Sequence, residues 1–225
     1  MEKIHNNFNI KNSIKSKSDW FNQFNKDQKE IILKGIEYDL DVSWYAKKEF
    51  NWEQMLEISF GLEANLDVSI YAKTCFNSWQ MGQIRSGLKD NLDVSLYAKK
   101  EFDEYQMNQI RWGLSDNLNA SIYAKTDFNS AQMAEIRLGL KYNLEVSIYA
   151  NPEYTWEQME QIRLGLEEDL NVSIYTKLDF SYQQMEEIRL GLKNNLDVSL
   201  YANSEIHWQK MKEIRLELLK KSTLK

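Results

Sequence analysis

The 225-residue chain has one cysteine, one proline and two histidines, and each shortage excludes something. The lone thiol, Cys75, cannot close an internal disulfide, so nothing implies an oxidising compartment. The histidines, His5 and His207, stand near opposite ends. The sequence has no His/Cys cluster with metal-ligand spacing, no Gly-rich phosphate loop and no nucleophile elbow. It offers no candidate catalytic residue and no metal ligand, implies no cofactor, and argues against an enzyme. No apolar run approaches the roughly 18 residues of a membrane span, and the start of the chain lacks a secretory core, so the expectation is a cytoplasmic protein. One proline and eight glycines exclude a collagen-like or low-complexity chain. Strong positive charge is also missing. A net charge of −6 lowers the expectation of a whole face given to nucleic acid but leaves room for a local basic track.

What the sequence does have is repetition. Leu66 to Asn91, LDVSIYAKTCFNSWQMGQIRSGLKDN, is followed by LDVSLYAKKEFDEYQMNQIRWGLSDN, and further copies begin at Leu118, Leu144, Leu170 and Leu196. Leu40 to Asn65 fits the pattern. Residues 14–39 are a degenerate copy that keeps Phe24, Gln28, Ile32, Gly35 and Ile36. A fixed period in this size range marks a stacked array in which each unit buries its apolar face only against its neighbours. The expected architecture is all-α, an α-solenoid of about eight helix-turn-helix units in a single elongated domain. Residues 1–13 read as an N-terminal extension, 14–39 as a capping repeat, 40–221 as seven tandem repeats and 222–225 as a tail.

Counting each unit from the leucine of LDVS, position 12 is a good helix N-cap (Asn51, Asn77, Asp103, Asn129, Thr155, Ser181). Position 15 is Gln in the same units, which completes a capping box, and an aromatic at 11 with Met at 16 forms the two ends of a hydrophobic staple. The spacing therefore predicts a helix from position 13 to about 24. Asn at position 26 suits the left-handed residue after a helix end, with the next leucine folding back as in a Schellman motif. Asp or Asn at position 2 predicts a second, short helix through VSIYA, which Pro152 at position 9 requires to end early. No period-2 strand pattern is present.

The motif LDVSxYAxxxFxxxQMxEIRxGL resembles a 26-residue repeat found in arrays in low-GC Gram-positive bacteria and their mobile elements. The likeness covers 40–216 closely and 14–39 loosely, and it assigns no catalytic or binding residue. What it implies is a phage or mobile-element setting, and hence an inhibitor of a host defence nuclease such as a CRISPR effector, an anti-CRISPR.

Three ladders stand out. Seven of the eight glycines occupy position 22, consistent with close approach of a neighbouring helix. The tyrosines at position 6, Tyr45 to Tyr201, read as core. Position 20 carries Arg85, Arg111, Arg137, Arg163, Arg189 and Arg215, about 40° from the edge of the apolar stripe at positions 16, 19 and 23. Structurally, each arginine would pair with an acid or carbonyl of an adjacent unit. Functionally, Arg85, Arg111, Arg137, Arg163 and Arg189, with Lys73, Lys99 and Lys125 at position 8, would form a nucleic-acid track. That is the alternative function.

The primary expectation is a scaffold that binds another protein, because aromatics concentrate where the units differ. Positions 13 and 14 supply Trp52, Trp79, Tyr105, Trp156 and Tyr182, and position 21 supplies Trp112. Trp and Tyr dominate interface hot spots. Trp79, Tyr105 and Trp112 are the expected anchors, with Asp90, Asp103, Glu104 and Asp116 steering a partner that has basic patches, such as a nucleic-acid-handling effector. At position 21 an apolar residue is either packed against the next unit or exposed as a ridge.

Overall fold

The computed structural model describes residues 19–223. The N-terminal extension, the first five residues of the capping repeat and the last two residues of the tail lie outside them, and His5 lies there too. Among the described residues the fold is all-α: nine α-helices, seven three-residue 3-10 turns and no strand. The chain divides into two compact units between Ser115 and Asp116, which coincides with the end of a long helix.

The first unit contains α1 (Asp19–Asn22), α2 (Lys26–Glu37), α3 (Trp52–Glu63), α4 (Ser78–Lys89) and α5 (Glu104–Ser115). The second contains α6 (Ser130–Lys141), α7 (Trp156–Glu167), α8 (Tyr182–Lys193) and α9 (Trp208–Thr223). Within each unit every long helix packs on the next, the repeat stack of an α-solenoid. Helix α9 continues without a break through residues 222 and 223, which the sequence had set aside as tail.

Local chemistry explains the repeat. Asn77 Oδ1 accepts from the Gln80 amide at 2.8 Å and Gln80 Oε1 accepts from the Asn77 amide at 2.8 Å, so the predicted capping box closes α4 at its first turn. Equivalent boxes begin α2, α3, α6, α7 and α8. Each long helix from α2 to α8 ends where left-handed backbone is reached, for example at Asn65 (φ 54°) and Asn91 (φ 55°), and Asp39 and Asp169 serve alike. The Leu66 amide then donates to the Gly61 carbonyl at 2.9 Å and the Asn65 amide to the Leu62 carbonyl at 3.0 Å, the two bonds of a Schellman motif.

The short helix expected through VSIYA is a single 3-10 turn, Val68–Ile70 in one repeat and its equivalents elsewhere. Asp67 accepts from the Ser69 amide and hydroxyl, which satisfies the turn locally. Immediately afterwards the Lys73 amide bonds back to the Tyr71 carbonyl, a tight turn that an α-helix cannot contain. Tyr71 and the other six ladder tyrosines are fully buried, as are the Met and Ile side chains at positions 16 and 19 from α3 to α8.

Two side-chain ladders lock neighbouring repeats together. The capping-box glutamine also donates Nε2 to the backbone carbonyl of position 11 in the next repeat: Gln54 to Phe76 at 2.7 Å, Gln80 to Phe102 at 2.6 Å, Gln158 to Phe180 at 2.7 Å. Within each unit the ladder tyrosines reach back to a carbonyl of the preceding long helix, as in Tyr71 to Glu57 at 3.2 Å and Tyr149 to Glu135 at 3.1 Å. The position-22 glycine leaves room for that hydroxyl. The close approach is by a tyrosine tip and a valine of the following turn rather than by a helix backbone.

Candidate protein-binding surface

The arginine ladder takes up the structural role. Arg85 Nε donates to Glu57 at 2.8 Å, Arg163 to Glu135 at 2.7 Å and Arg215 to Glu187 at 2.7 Å. Where position 18 is glutamine the same bond forms, Arg111 to Gln83 at 2.9 Å and Arg189 to Gln161 at 3.0 Å. A second acid often joins: Asp90 lies 3.9 Å from Arg111, Asp116 lies 3.9 Å from Arg137, Glu168 lies 3.1 Å from Arg189, and Glu167 bonds Arg163. Arg163 and Arg189 are buried, and Arg85, Arg111 and Arg137 half-buried. Burial pushes the Glu135 carboxyl above the ordinary carboxylate range, and the Arg163 bond offsets this only in part. The position-8 lysines Lys73, Lys99 and Lys125 are exposed, and Lys99 Nζ stands 6.0 Å from the Phe102 ring centroid.

The variable aromatics behave differently. In the first unit Trp79 is 71 % exposed, Tyr105 67 %, Trp112 44 % and Trp52 42 %. A tryptophan left this open is unusual for a residue type that is highly buried on average. The reason is local. Position 14 lies on the side of the long helix away from the buried methionine and isoleucine of positions 16 and 19, which leaves Trp79 and Tyr105 open, whereas Trp52 at position 13 sits nearer the methionine and is less exposed. Position 21 resolves both ways: Phe60 and Trp112 are exposed, whereas Leu138, Leu164 and Leu190 are half-buried. The Arg85 guanidinium lies 5.4 Å from the Phe60 ring centroid, so one of the exposed pair carries a cation on its face.

Between successive long helices these side chains frame clefts. Trp79 and Gln83 of α4 face Glu104, Tyr105, Asn108 and Trp112 of α5 across about 450 Å³. Tyr105, Asn108 and Trp112 share a face because they are three and four residues apart on one helix. The α3–α4 cleft, about 160 Å³, lies between Trp52 and Trp79 and is lined also by Glu53, Leu56, Glu57 and Ser78. A third, about 340 Å³, sets Trp52 and Leu56 of α3 against Asp27, Glu30, Ile31 and Lys34 of α2.

In the second unit Ser130 and Ala131 begin α6, Trp156 and Tyr182 begin α7 and α8 and are exposed, and the α8–α9 cleft is lined by Ser181, Gln183, Gln184, Ser204, Glu205, His207 and Trp208.

Of the four acids expected to steer a partner, only Glu104 lines a cleft. Asp103 is the N-cap of α5 and accepts from the Gln106 amide at 2.7 Å, while Asp90 and Asp116 face arginines, Asp116 with Lys141 as well at 3.0 Å. Position in sequence located these acids near the aromatics but not their cationic neighbours, which come from the next turn of the stack. Conversely, Glu53, Gln83 and Asn108 line clefts and were not singled out. Their signal was positions 14, 17 and 18 on the same helical face as Trp112.

Among the described residues no three His, Cys, Asp or Glu side chains are grouped to hold a metal ion, and no helix is long and apolar enough to cross a membrane. No protein-family model matches the chain, and neither does any curated protein or solved structure.

Proposed function

We propose that this chain is a non-enzymatic scaffold that binds another protein through the aromatic row of its first unit. The observation that carries the reading is the exposure of Trp79 and Tyr105 on opposite walls of one cleft, with Trp112 lining it too and Trp52 one repeat away. Large aromatics held at the start of rigid, capped helices lose little conformational freedom on binding and bring large contact area. The acidic balance of the chain favours a partner with a cationic surface. A defence nuclease that holds nucleic acid on such a surface is a partner of that kind, and phage or mobile-element inhibition is the setting the repeat resemblance brings to it. A nucleic-acid track along the arginines draws less support, because those guanidinium groups are already bonded to the preceding repeat.

The test compares the proteins retained from a host lysate, or from a panel of purified defence nucleases, by the native chain and by a variant with Trp79, Tyr105 and Trp112 all changed to Ala. A specific partner should be lost from the variant while the helical circular dichroism and melting temperature stay nearly unchanged. Equal retention by both would remove the aromatic row from the function. Unfolding of the variant would make those rings part of the core.

A further inference from the structure

Three consecutive clefts of the first unit share one composition: at least one tryptophan, and one carboxylate that forms no ion pair. Asp27 lies with Trp52 in the first, Glu53 with Trp52 and Trp79 in the second, and Glu104 with Trp79, Tyr105 and Trp112 in the third. Glu53 accepts only from the Ser78 hydroxyl at 3.1 Å, and Glu104 only from the Asn77 amide group at 3.4 Å. The cations near the row already have acidic or amide partners: Lys34 is 2.9 Å from Glu30, Arg85 is 2.8 Å from Glu57, and Arg111 is bonded to Gln83 with Asp90 beyond. Each cleft therefore sets an aromatic side chain beside a carboxylate that no ion pair neutralises.

The partial positive charge at a helix start opposes a cation there, but it is about half a unit. At α5 it meets two full carboxylates, Asp103 and Glu104. The balance favours a cation.

Resting on the protein-binding reading above, the geometry points to an extended, basic polypeptide segment as the occupant, with one arginine or lysine side chain seated in each cleft. Packed helices of a stack stand roughly 8–10 Å apart. An extended chain of polyproline II type rises about 3.1 Å per residue with three residues per turn, so basic side chains at every third residue face one way and match one repeat each. A helical segment, rising 1.5 Å per residue, would need about six residues per cleft and would turn most of its cations away.

The experiment titrates the full-length chain into a fluorescein-labelled Arg-Gly-Gly repeat peptide and reads anisotropy. Beside it run a Glu-Gly-Gly repeat, an isomer with the same arginines gathered at one end, and an oligothymidine of matched length. The Arg-Gly-Gly peptide should bind, the Glu peptide should not, and the clustered isomer should bind several-fold more weakly. Trp79→Ala and Glu104→Gln should each weaken binding about fivefold, the scale of one cation–π contact at an accessible site. Glu104 is half-buried and makes only the long Asn77 bond, so its variant keeps the test meaningful if the tryptophan change perturbs folding. Tighter binding of the oligothymidine, indifference to arginine spacing, or wild-type affinity in Glu104→Gln would each overturn the inference. If lysate capture depends on the aromatic row while the peptide does not bind, the scaffold reading stands and this occupant is wrong. If neither occurs, both readings fall.

Discussion

A methyl group placed on Gly61 would lie 1.8 Å from the Tyr71 hydroxyl oxygen and 2.9 Å from Val68 Cγ1. The same clash recurs at Gly35 with Tyr45, Gly87 with Tyr97 and Gly139 with Tyr149. The glycine is thus required by the tyrosine of the next repeat, whose ring is fully buried and whose hydroxyl donates to the Glu57 carbonyl. Gly61→Ala should destabilise by about 3 kcal/mol, the upper range for overpacking a tight core. Adding Tyr71→Phe removes the clashing oxygen, so the double variant should be more stable than the sum of the single changes indicates. Urea midpoints of the four proteins check this, and strict additivity would refute the coupling.

Gln80 shows why position 15 is glutamine and never glutamate from Gln28 to Gln184. A glutamate could accept from the Asn77 amide as Gln80 does, but it could not donate to the Phe102 carbonyl. Gln80→Glu should therefore lose about 2 kcal/mol near neutral pH, where a carboxylate would face a buried carbonyl. Protonation restores a donor, so the deficit should shrink as pH falls through the raised carboxyl pKa. Parallel melts of wild type and variant at neutral and acid pH would reveal that convergence.

The Arg163–Glu135 pair is predicted to be asymmetric. Arg163→Met strands a buried carboxylate and should cost about 3–5 kcal/mol. Glu135→Gln leaves a neutral acceptor for Arg163, the arrangement that Gln83 and Gln161 already provide for Arg111 and Arg189. It should change stability by less than about 1 kcal/mol. Comparable losses in the two variants, measured by chemical denaturation, would contradict this account of the ladder.

Alkaline unfolding should be steep. Burial pushes the hydroxyls of all seven ladder tyrosines up, Tyr201 to about 12 and the others beyond the ordinary range. Their folded pKa values exceed the unfolded value of about 10, so the stability they confer is complete below that pH and is lost as pH rises through the folded values. Each tyrosine obliged to keep its proton lowers stability by about 1.4 kcal/mol per pH unit above that point. Tyrosinate absorbance from these residues should appear together with loss of helical signal. If the absorbance develops fully while the helices persist, the rings are more accessible than the structure shows.

The sequence by itself determined the repeat, the start of every long helix, the end of each from α2 to α8 and the identity of the core ladders. These depend on contacts within a few residues: an N-cap with its third neighbour, a left-handed asparagine, an apolar stripe at helical spacing. It also placed Trp79, Tyr105 and Trp112 where they prove exposed. Tertiary structure alone decided what the recurring polar residues bond to. Gln80 reaches Phe102, Arg163 reaches Glu135 and Gly61 accommodates Tyr71 across repeat boundaries, and a period shows that partners recur without showing which atoms meet. The same limit explains the acids. Asp90 and Glu104 look alike along the chain, but the stack brings Arg111 beside the first and leaves the second facing open aromatic rings.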